Sequence, residues 1–432
     1  MNRFFQSFSI KSSNFNKSKI LNLTNHSQPI PFSLRQLIFF GKLLLKNQSN
    51  SRFDEIEQGL VKGANLVKTQ LSVRLAHQIR QFESLPYIVT SNQFLNKAYD
   101  LYLEGFHKIA DFPEISNASE NKDWCELLKS LLTDHKLIIP HLAIGVAESA
   151  NHLSNSQIEQ FLTQILHSRI ARRVLAEHHI ALTNQFQINH QIQDKSLRCL
   201  GIIDTELHLA ETIQNCIKLT QTTLANRHPS ILSNDKLTIQ INGEKNVKFA
   251  YISDHLEYIL FELLLYSSRQ TIHHAALHQT SISSLPINIQ IASSPTHITV
   301  RISDNAGGIL SPKRGSFSDE DAVPPSVSKP EMFSFLQLTS NMTGFQKLIG
   351  SGGMEGKVSE QVKIGQSTSN TQENYDVTEV QEAHLRIGLP LSLIYAQFLG
   401  GTLQMSSIPG SSDFVLCVPK LGTTCEPKIQ PV

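Results

Sequence analysis

Ile298-Thr-Val-Arg-Ile-Ser-Asp304-Asn-Ala-Gly-Gly308 carries the reading of the fold. From Ile298 to Ile302 apolar residues alternate with polar ones, the period of a strand with one buried face. The run ends in an aspartate followed by small residues. A carboxylate there can accept a hydrogen bond from a nucleobase amino group, and glycines let a ligand approach the backbone. Alone, Asp-x-Ala-Gly-Gly reads more readily as a plain turn, so its neighbours decide. Ile287 to Ile291 predicts a partner strand, and Leu256-Glu-Tyr-Ile-Leu-Phe-Glu-Leu-Leu-Leu-Tyr-Ser-Ser-Arg269 lies within a helix predicted from Ser253 to about His278. Further upstream, Leu237 to Ile241 reads as a strand closed by an Asn242-Gly243 turn. Downstream, a helix over Ser392 to Leu399 precedes strands around Thr402 to Met405 and Phe414 to Val418. This alternation predicts an α/β sandwich over residues 201–419.

Between its parts lies a stretch at 310–382, rich in Ser, Gly and charge and too long for a passive connection, which reads as a lid or disordered segment. Gly350-Ser-Gly-Gly-Met-Glu-Gly356 lacks the spacing and the preceding strand of a phosphate loop and belongs to that segment. Residues 31–185 change period: Leu71, Leu75, Ile79 and Phe82 share one helical face, ended by Leu85-Pro86. Leu95, Tyr99, Tyr102 and Phe106 mark a second helix, and the leucines after Trp124 a third. Further helices span about 136–153 and 156–182. Such helices pack up and down as a bundle. Arg169, Arg172 and Arg173 form a basic patch on the last, read as solvated or as an intersubunit contact more readily than as a site for an acidic partner. The fold class is therefore α + α/β, a helical bundle before an α/β sandwich, with a tail at 420–432.

Composition narrows the function. In 432 residues, 38 Lys and Arg balance 37 Asp and Glu, which argues against a nucleic-acid binder working through overall positive charge. The first acidic residue is Asp54, whereas Arg3, Lys11, Lys17, Lys19, Arg35, Lys42, Lys46 and Arg52 precede it. A basic, acid-free start rich in Ser and Asn predicts a mitochondrial presequence over 1–28. No apolar run is long enough to span a membrane. Cys125, Cys199, Cys216, Cys417 and Cys425 form no CxxC pair, so neither a zinc knuckle nor a disulfide framework is indicated. Among 18 histidines, His274 and His278 make the best metal pair, without an HExxH frame.

Helix, Asp-Gly loop, lid, Arg386-Ile-Gly388-Leu389-Pro390 and Gly400-Gly401 occur in the order of the ATP pocket of gyrase, histidine kinases and mitochondrial ketoacid dehydrogenase kinases. Ser33-Leu-Arg-Gln-Leu37, Ser72-Val-Arg-Leu-Ala-His-Gln-Ile79, Phe82-Glu-Ser-Leu-Pro-Tyr87 and Glu177-His-His-Ile-Ala-Leu182 resemble the helical domain of the last group. Tyr258-Ile-Leu resembles its branched-chain branch. The chain is identified on these motifs as a divergent member of the branched-chain ketoacid and pyruvate dehydrogenase kinase family over about 31–419.

The resemblance implies a mitochondrial matrix kinase that uses ATP and Mg2+ and has an ATPase domain of the gyrase/histidine-kinase type. It would dock on the lipoyl-bearing core of a 2-oxoacid dehydrogenase complex and phosphorylate serine on the decarboxylase subunit, as a homodimer or paired with a paralogue. It places Glu262 as general base and Asp304 on the adenine amino group. Gly308 and Ser412 lie near adenine, and Gly388 with Leu389 at the phosphates. The family's magnesium-ligating asparagine, however, is Tyr266 here, its usual lysine is Leu265, and two of its glycines are Ala306 and Arg386. The alternative is a catalytically inactive, regulatory member of the same family.

Overall fold

The computed structural model describes residues 18–46, 53–189, 198–227, 235–307, 330–340, 387–408 and 410–421. It divides into two compact units, the first running to Ile203 and the second from Asp204.

The first unit is helical: α1 (Leu34–Lys46), α2 (Phe53–Glu83), α3 (Gln93–Ala110), α4 (Ala118–Asp134), α5 (Ile138–Ser149) and α6 (Asn155–Asn189). Local chemistry sets their ends. The Asn92 side chain accepts from the Phe94 and Leu95 amides, and Asn117 from the Glu120 amide, satisfying donors that a helix start leaves open. The predicted stripe of Leu71, Leu75, Ile79 and Phe82 is buried. Phe82 meets Tyr102 at 5.8 Å and Phe161 at 5.4 Å, joining α2, α3 and α6. Two-residue β1 (Cys199–Leu200) is held to α6 by Gln185, which donates to the Cys199 carbonyl and accepts from the Gly201 amide. Gly201 has φ +61°, and a Cβ there would meet the His178 ring, so only glycine fits.

The packed bundle begins upstream of residue 31. Residues 18–26 are helical and Ile20 is 3% exposed. Lys19 Nζ donates to the Ala110 carbonyl at 3.0 Å, and the His77 Nε2 lies 2.9 Å from the Ser27 carbonyl oxygen. The Ile30 amide donates to Gln70, and Arg74 Nη2 returns a bond to the Ile30 carbonyl at 2.7 Å. Arg74 also lies over the Phe32 ring. A presequence ending at 28 would cut this strap, which the charge pattern hides because its basic residue, Lys19, is bonded rather than free. A chain starting at residue 29 should unfold with about 2–4 kcal/mol less stability than one starting at residue 18, from the lost burial of Ile20 and two or three hydrogen bonds. Denaturant midpoints of the two truncations check this; equal midpoints would mean the strap contributes nothing.

The arginine patch is not a solvated surface. Arg169 and Arg172 are buried. Arg169 donates to the His135 carbonyl, Arg172 stacks on Tyr102 at 4.6 Å, and Arg173 pairs with Glu177 at 2.9 Å. The reason is the length of the side chain, which lets a guanidinium lie flat on an aromatic ring inside the bundle.

The second unit contains β2 (Ile203–His208), α7 (Leu209–Arg227), β3 (Ile239–Gly243), β4 (Lys248–Ile252), α8 (Ser253–His278), β5 (Ile287–Ser293), β6 (His297–Gly307), α9 (Gly388–Phe398), β7 (Thr402–Ile408) and β8 (Gly410–Pro419). Five strands form a mixed sheet in the order β3-β5-β6-β8-β7, with β3 parallel to β5 and the other pairs antiparallel. α7 and α9 pack on α8, which lies on β6, giving two layers. On β5 and β6 the buried series is Ile287, Ile289, Ile291 and Ile298, Val300, Ile302; on β8 it is Phe414, Leu416, Val418.

Two boundaries differ from the sequence reading. β6 continues to Gly307, so Asp304 stands inside a strand rather than after it. α9 begins at Gly388, because Pro390 falls in its first turn, where a missing amide costs nothing; the first helical bond runs from the Leu391 amide to the Ile387 carbonyl at 2.9 Å. Of the stretch expected as a lid, the described residues 330–340 form two short 3₁₀ turns, with Phe335 buried; the remainder lies outside the described residues, as do 1–17 of the expected leader and the tail from 422.

Candidate active site

Because side chains alternate along a strand, residue 304 points the same way as Ile298, Val300 and Ile302, into the layer beneath α8. Asp304 is 1% exposed. Its backbone is in register with Ser412 on β8, and the pairing is irregular between Asp304 and Gly307, where an extra residue re-aims the strand. Oδ1 accepts from the Ala306 amide at 3.2 Å, while Oδ2 is buried without a hydrogen-bond partner among the described residues. Burial pushes the acid up to about 6, against the opposing pull of the Ala306 amide and the nearby Ser267 hydroxyl. The site thus holds one unspent acceptor in a dry setting. Ser412 is buried, with its hydroxyl 3.5 Å from that of Ser407.

Ser267 lies on α8, and Glu262 is five residues earlier on that helix, about 7.5 Å along its axis. Glu262 is half-buried and faces the start of α9: a Cβ built on Gly388 would lie 2.8 Å from Glu262 Cδ. A side chain at position 388 would therefore displace the Glu262 carboxylate. Leu389 is buried, and Ile387 at the N-cap brings no capping side chain to the first amides of α9, which as in any helix start lack helical partners. Glu262 thus meets Gly388, followed by Leu389, at the start of α9, while Asp304 pairs with Ser412 and lies beside Ser267 of α8. Gly308 and Arg386 lie outside the described residues.

Tyr266, one turn after Glu262, is half-buried, with its ring edge-on to Phe414 at 5.5 Å; Leu265 is buried. Magnesium prefers carboxylate, amide or water oxygens. A phenol wedged against a core aromatic does not meet that demand, and among the described residues no three His, Cys, Asp or Glu side chains converge on a metal-sized space. The residues present do not fit the metal of the family pattern. His274 and His278 do face each other, with ring centroids 4.3 Å apart, but no third ligand joins them among the described residues.

Two features escaped the motif reading. Tyr258 and His255 stack on Tyr395 at 5.0 and 4.6 Å, bracing the Glu262 end of α8 against α9. Burial first, and then the Glu262 charge, hold the Tyr258 phenol well above its usual value. Arg269 is half-buried, with Nη2 buried and lacking a hydrogen-bond partner among the described residues. Its spacing of seven from Glu262 on a helix was the available signal.

Fold and site together define a two-domain protein in which a helical bundle precedes an α/β domain built around a buried aspartate and a helix-borne glutamate. Residues 31–204 match the family model described as mitochondrial branched-chain alpha-ketoacid dehydrogenase kinase. The chain is 26% identical over 375 residues to the mitochondrial pyruvate dehydrogenase (acetyl-transferring) kinase of Arabidopsis thaliana, covering 86% of this chain and 88% of that protein. It is 23% identical over 393 residues to kinase 2 of that name from Saccharomyces cerevisiae, covering 84% and 77%. The human isozyme 4 is 23% identical over 291 residues, 65% of each chain. These matches make the chain similar, at low identity over most of its length, to the mitochondrial ketoacid dehydrogenase kinases.

Proposed function

We propose that this protein is an ATP-dependent protein-serine kinase of the mitochondrial matrix that regulates a 2-oxoacid dehydrogenase complex, branched-chain or pyruvate, by phosphorylating its decarboxylase subunit. The second unit is then an ATPase domain of the gyrase/histidine-kinase type, and the bundle is the docking domain for the lipoyl-bearing core, in a homodimer or a pair with a paralogue. The observation that carries the reading is Asp304 Oδ2, a buried acceptor on the inward face of β6 without a hydrogen-bond partner among the described residues. An adenine amino group is the kind of donor that completes it, with Ser412 beside it. Glu262, held against Gly388, accepts the proton of an incoming serine hydroxyl. The serine oxygen bonds to the γ-phosphorus as the bridging oxygen leaves with ADP, and the first amides of α9 receive phosphate charge.

The test is transfer of labelled phosphate from ATP to a purified decarboxylase subunit. Glu262→Gln should lower the rate about 100-fold or more while leaving ATP affinity within about threefold. Transfer that is unaffected by this change would remove Glu262 from the chemistry. The inactive, regulatory reading is favoured by one observation, the packing of Tyr266 on Phe414 in place of a metal ligand. Nucleotide binding without any transfer would select it.

A further inference from the structure

The last turns of α8 carry His273, His274 and His278, none of which takes part in the chemistry proposed above. Residues four apart on a helix lie one above the other, so His274 and His278 share a face, while His273 is turned aside by about 100°. The two rings meet with centroids 4.3 Å apart and planes inclined at 41°. His278 is exposed and His274 half-buried, so the pair opens to water. His274 Nδ1 is buried without a hydrogen-bond partner among the described residues. A neutral imidazole offers one nitrogen lone pair, and two imidazoles at this spacing on one helical face are a pairing with which helices hold zinc. Metal–nitrogen bonds of about 2.0–2.1 Å require the two donor nitrogens to lie within about 4 Å of each other. Rings already in contact reach that separation by a small side-chain rotation.

The position suits a cation for a second reason. The end of a helix gathers carbonyls without helical partners and carries the negative end of the dipole. α8 stops at Gln279, whose left-handed φ of 54° closes the helix with the Gln279 and Thr280 amides both donating to the Ala275 carbonyl. The turn that bears the pair is thereby held in place. Imidazole nitrogen suits copper, nickel and zinc, whereas magnesium and calcium demand oxygen. No third His, Cys, Asp or Glu joins the pair among the described residues, so water fills the remaining positions and the ion exchanges.

We propose that His274 and His278 form a two-imidazole site for a divalent transition-metal ion of the copper, nickel and zinc type. The site does not depend on the nucleotide reading and stands with either functional outcome. A bound ion bridges two successive turns and braces the end of the helix that also carries Glu262 and Ser267.

The test is calorimetric titration of the full chain, stripped of metal and without nucleotide, with Zn2+ and with Cu2+. Copper should bind more tightly than zinc, and excess Mg2+ should displace neither. His274→Ala and His278→Ala should each weaken zinc roughly tenfold or more, because each removes one arm of a chelate, while His273→Ala should leave the affinity unchanged. Alanine favours the helix at all three positions, so the variants keep the fold. Zinc at about 100 times its dissociation constant should raise the melting temperature by roughly 5 °C or more, and either variant should lose that shift. The electron paramagnetic resonance spectrum of one equivalent of Cu2+ should show two histidine nitrogens in the unaltered protein and one in either variant. Zinc affinity that survives both single substitutions would overturn the proposal, as would an equal loss in His273→Ala or the absence of binding at millimolar zinc.

Discussion

Asp304→Asn should raise the melting temperature of the protein and at the same time weaken its binding of adenine nucleotide. In the folded state Asp304 titrates at about 6 instead of 3.8, chiefly because it is buried. Between those values the folded protein holds a proton that the unfolded chain has lost, so stability falls as pH rises through the window and the penalty persists above it. At neutral pH the penalty is about 2–3 kcal/mol. Asparagine has nearly the same shape and no charge to bury. The gain should appear as roughly 5–10 °C in a calorimetric melt of the second unit at neutral pH. Adenosine affinity should drop about tenfold or more, because an amide in this position presents a donor as readily as an acceptor. Unchanged melting would mean that Asp304 is solvated in its charged form; unchanged binding would take it out of the pocket. The opposed signs are typical of a ligand site maintained against stability.

The second large effect is acid lability of the helical unit. His178 and His179 are 4% and 3% exposed, and burial lowers both to about 4. The ring of His179 lies 2.8 Å from Asn121 Oδ1. Burial, followed by the charges of Arg172 and Arg169, takes His135 to about 3, and burial with Arg74 takes His167 to about 4. These groups are neutral when folded and bind protons once unfolded, so their contribution is complete above 6.5 and is lost as pH falls from there towards 4. His178 and His179 alone should withdraw about 2 kcal/mol each by about pH 5, against a whole-domain stability of about 5–15 kcal/mol. Circular dichroism during acid titration should therefore show helix melting well above pH 4, and His178→Leu should flatten the slope. A helical signal that persists to pH 4 would show that the rings are protonated without cost.

The bundle is readable from sequence because its long helices carry uninterrupted stripes such as Leu71 to Phe82, and because caps such as Asn92 are local. The sheet is readable for the same reason, since Ile298, Val300 and Ile302 alternate. Asp304 was found as a motif, but its orphaned oxygen depends on the continuation of that alternation through the supposed turn. What motif reading could not supply are contacts between distant residues. Tyr266 meets Phe414, Gly388 meets Glu262, and Arg74 reaches Ile30, and none of these pairings leaves a periodic trace. The buried arginines of α6 mislead in the other direction, because charge in a sequence reads as surface.

The edge-on contact of Tyr266 with Phe414 also makes position 266 hard to change. Phe414 is wholly buried, so the tyrosine ring is now part of what keeps the middle of β8 dry. An asparagine restored at that position would forfeit the aromatic contact, roughly 0.5–1.5 kcal/mol, together with the area the ring covers. Any change at position 266 that gives up the ring would thus meet a stability barrier.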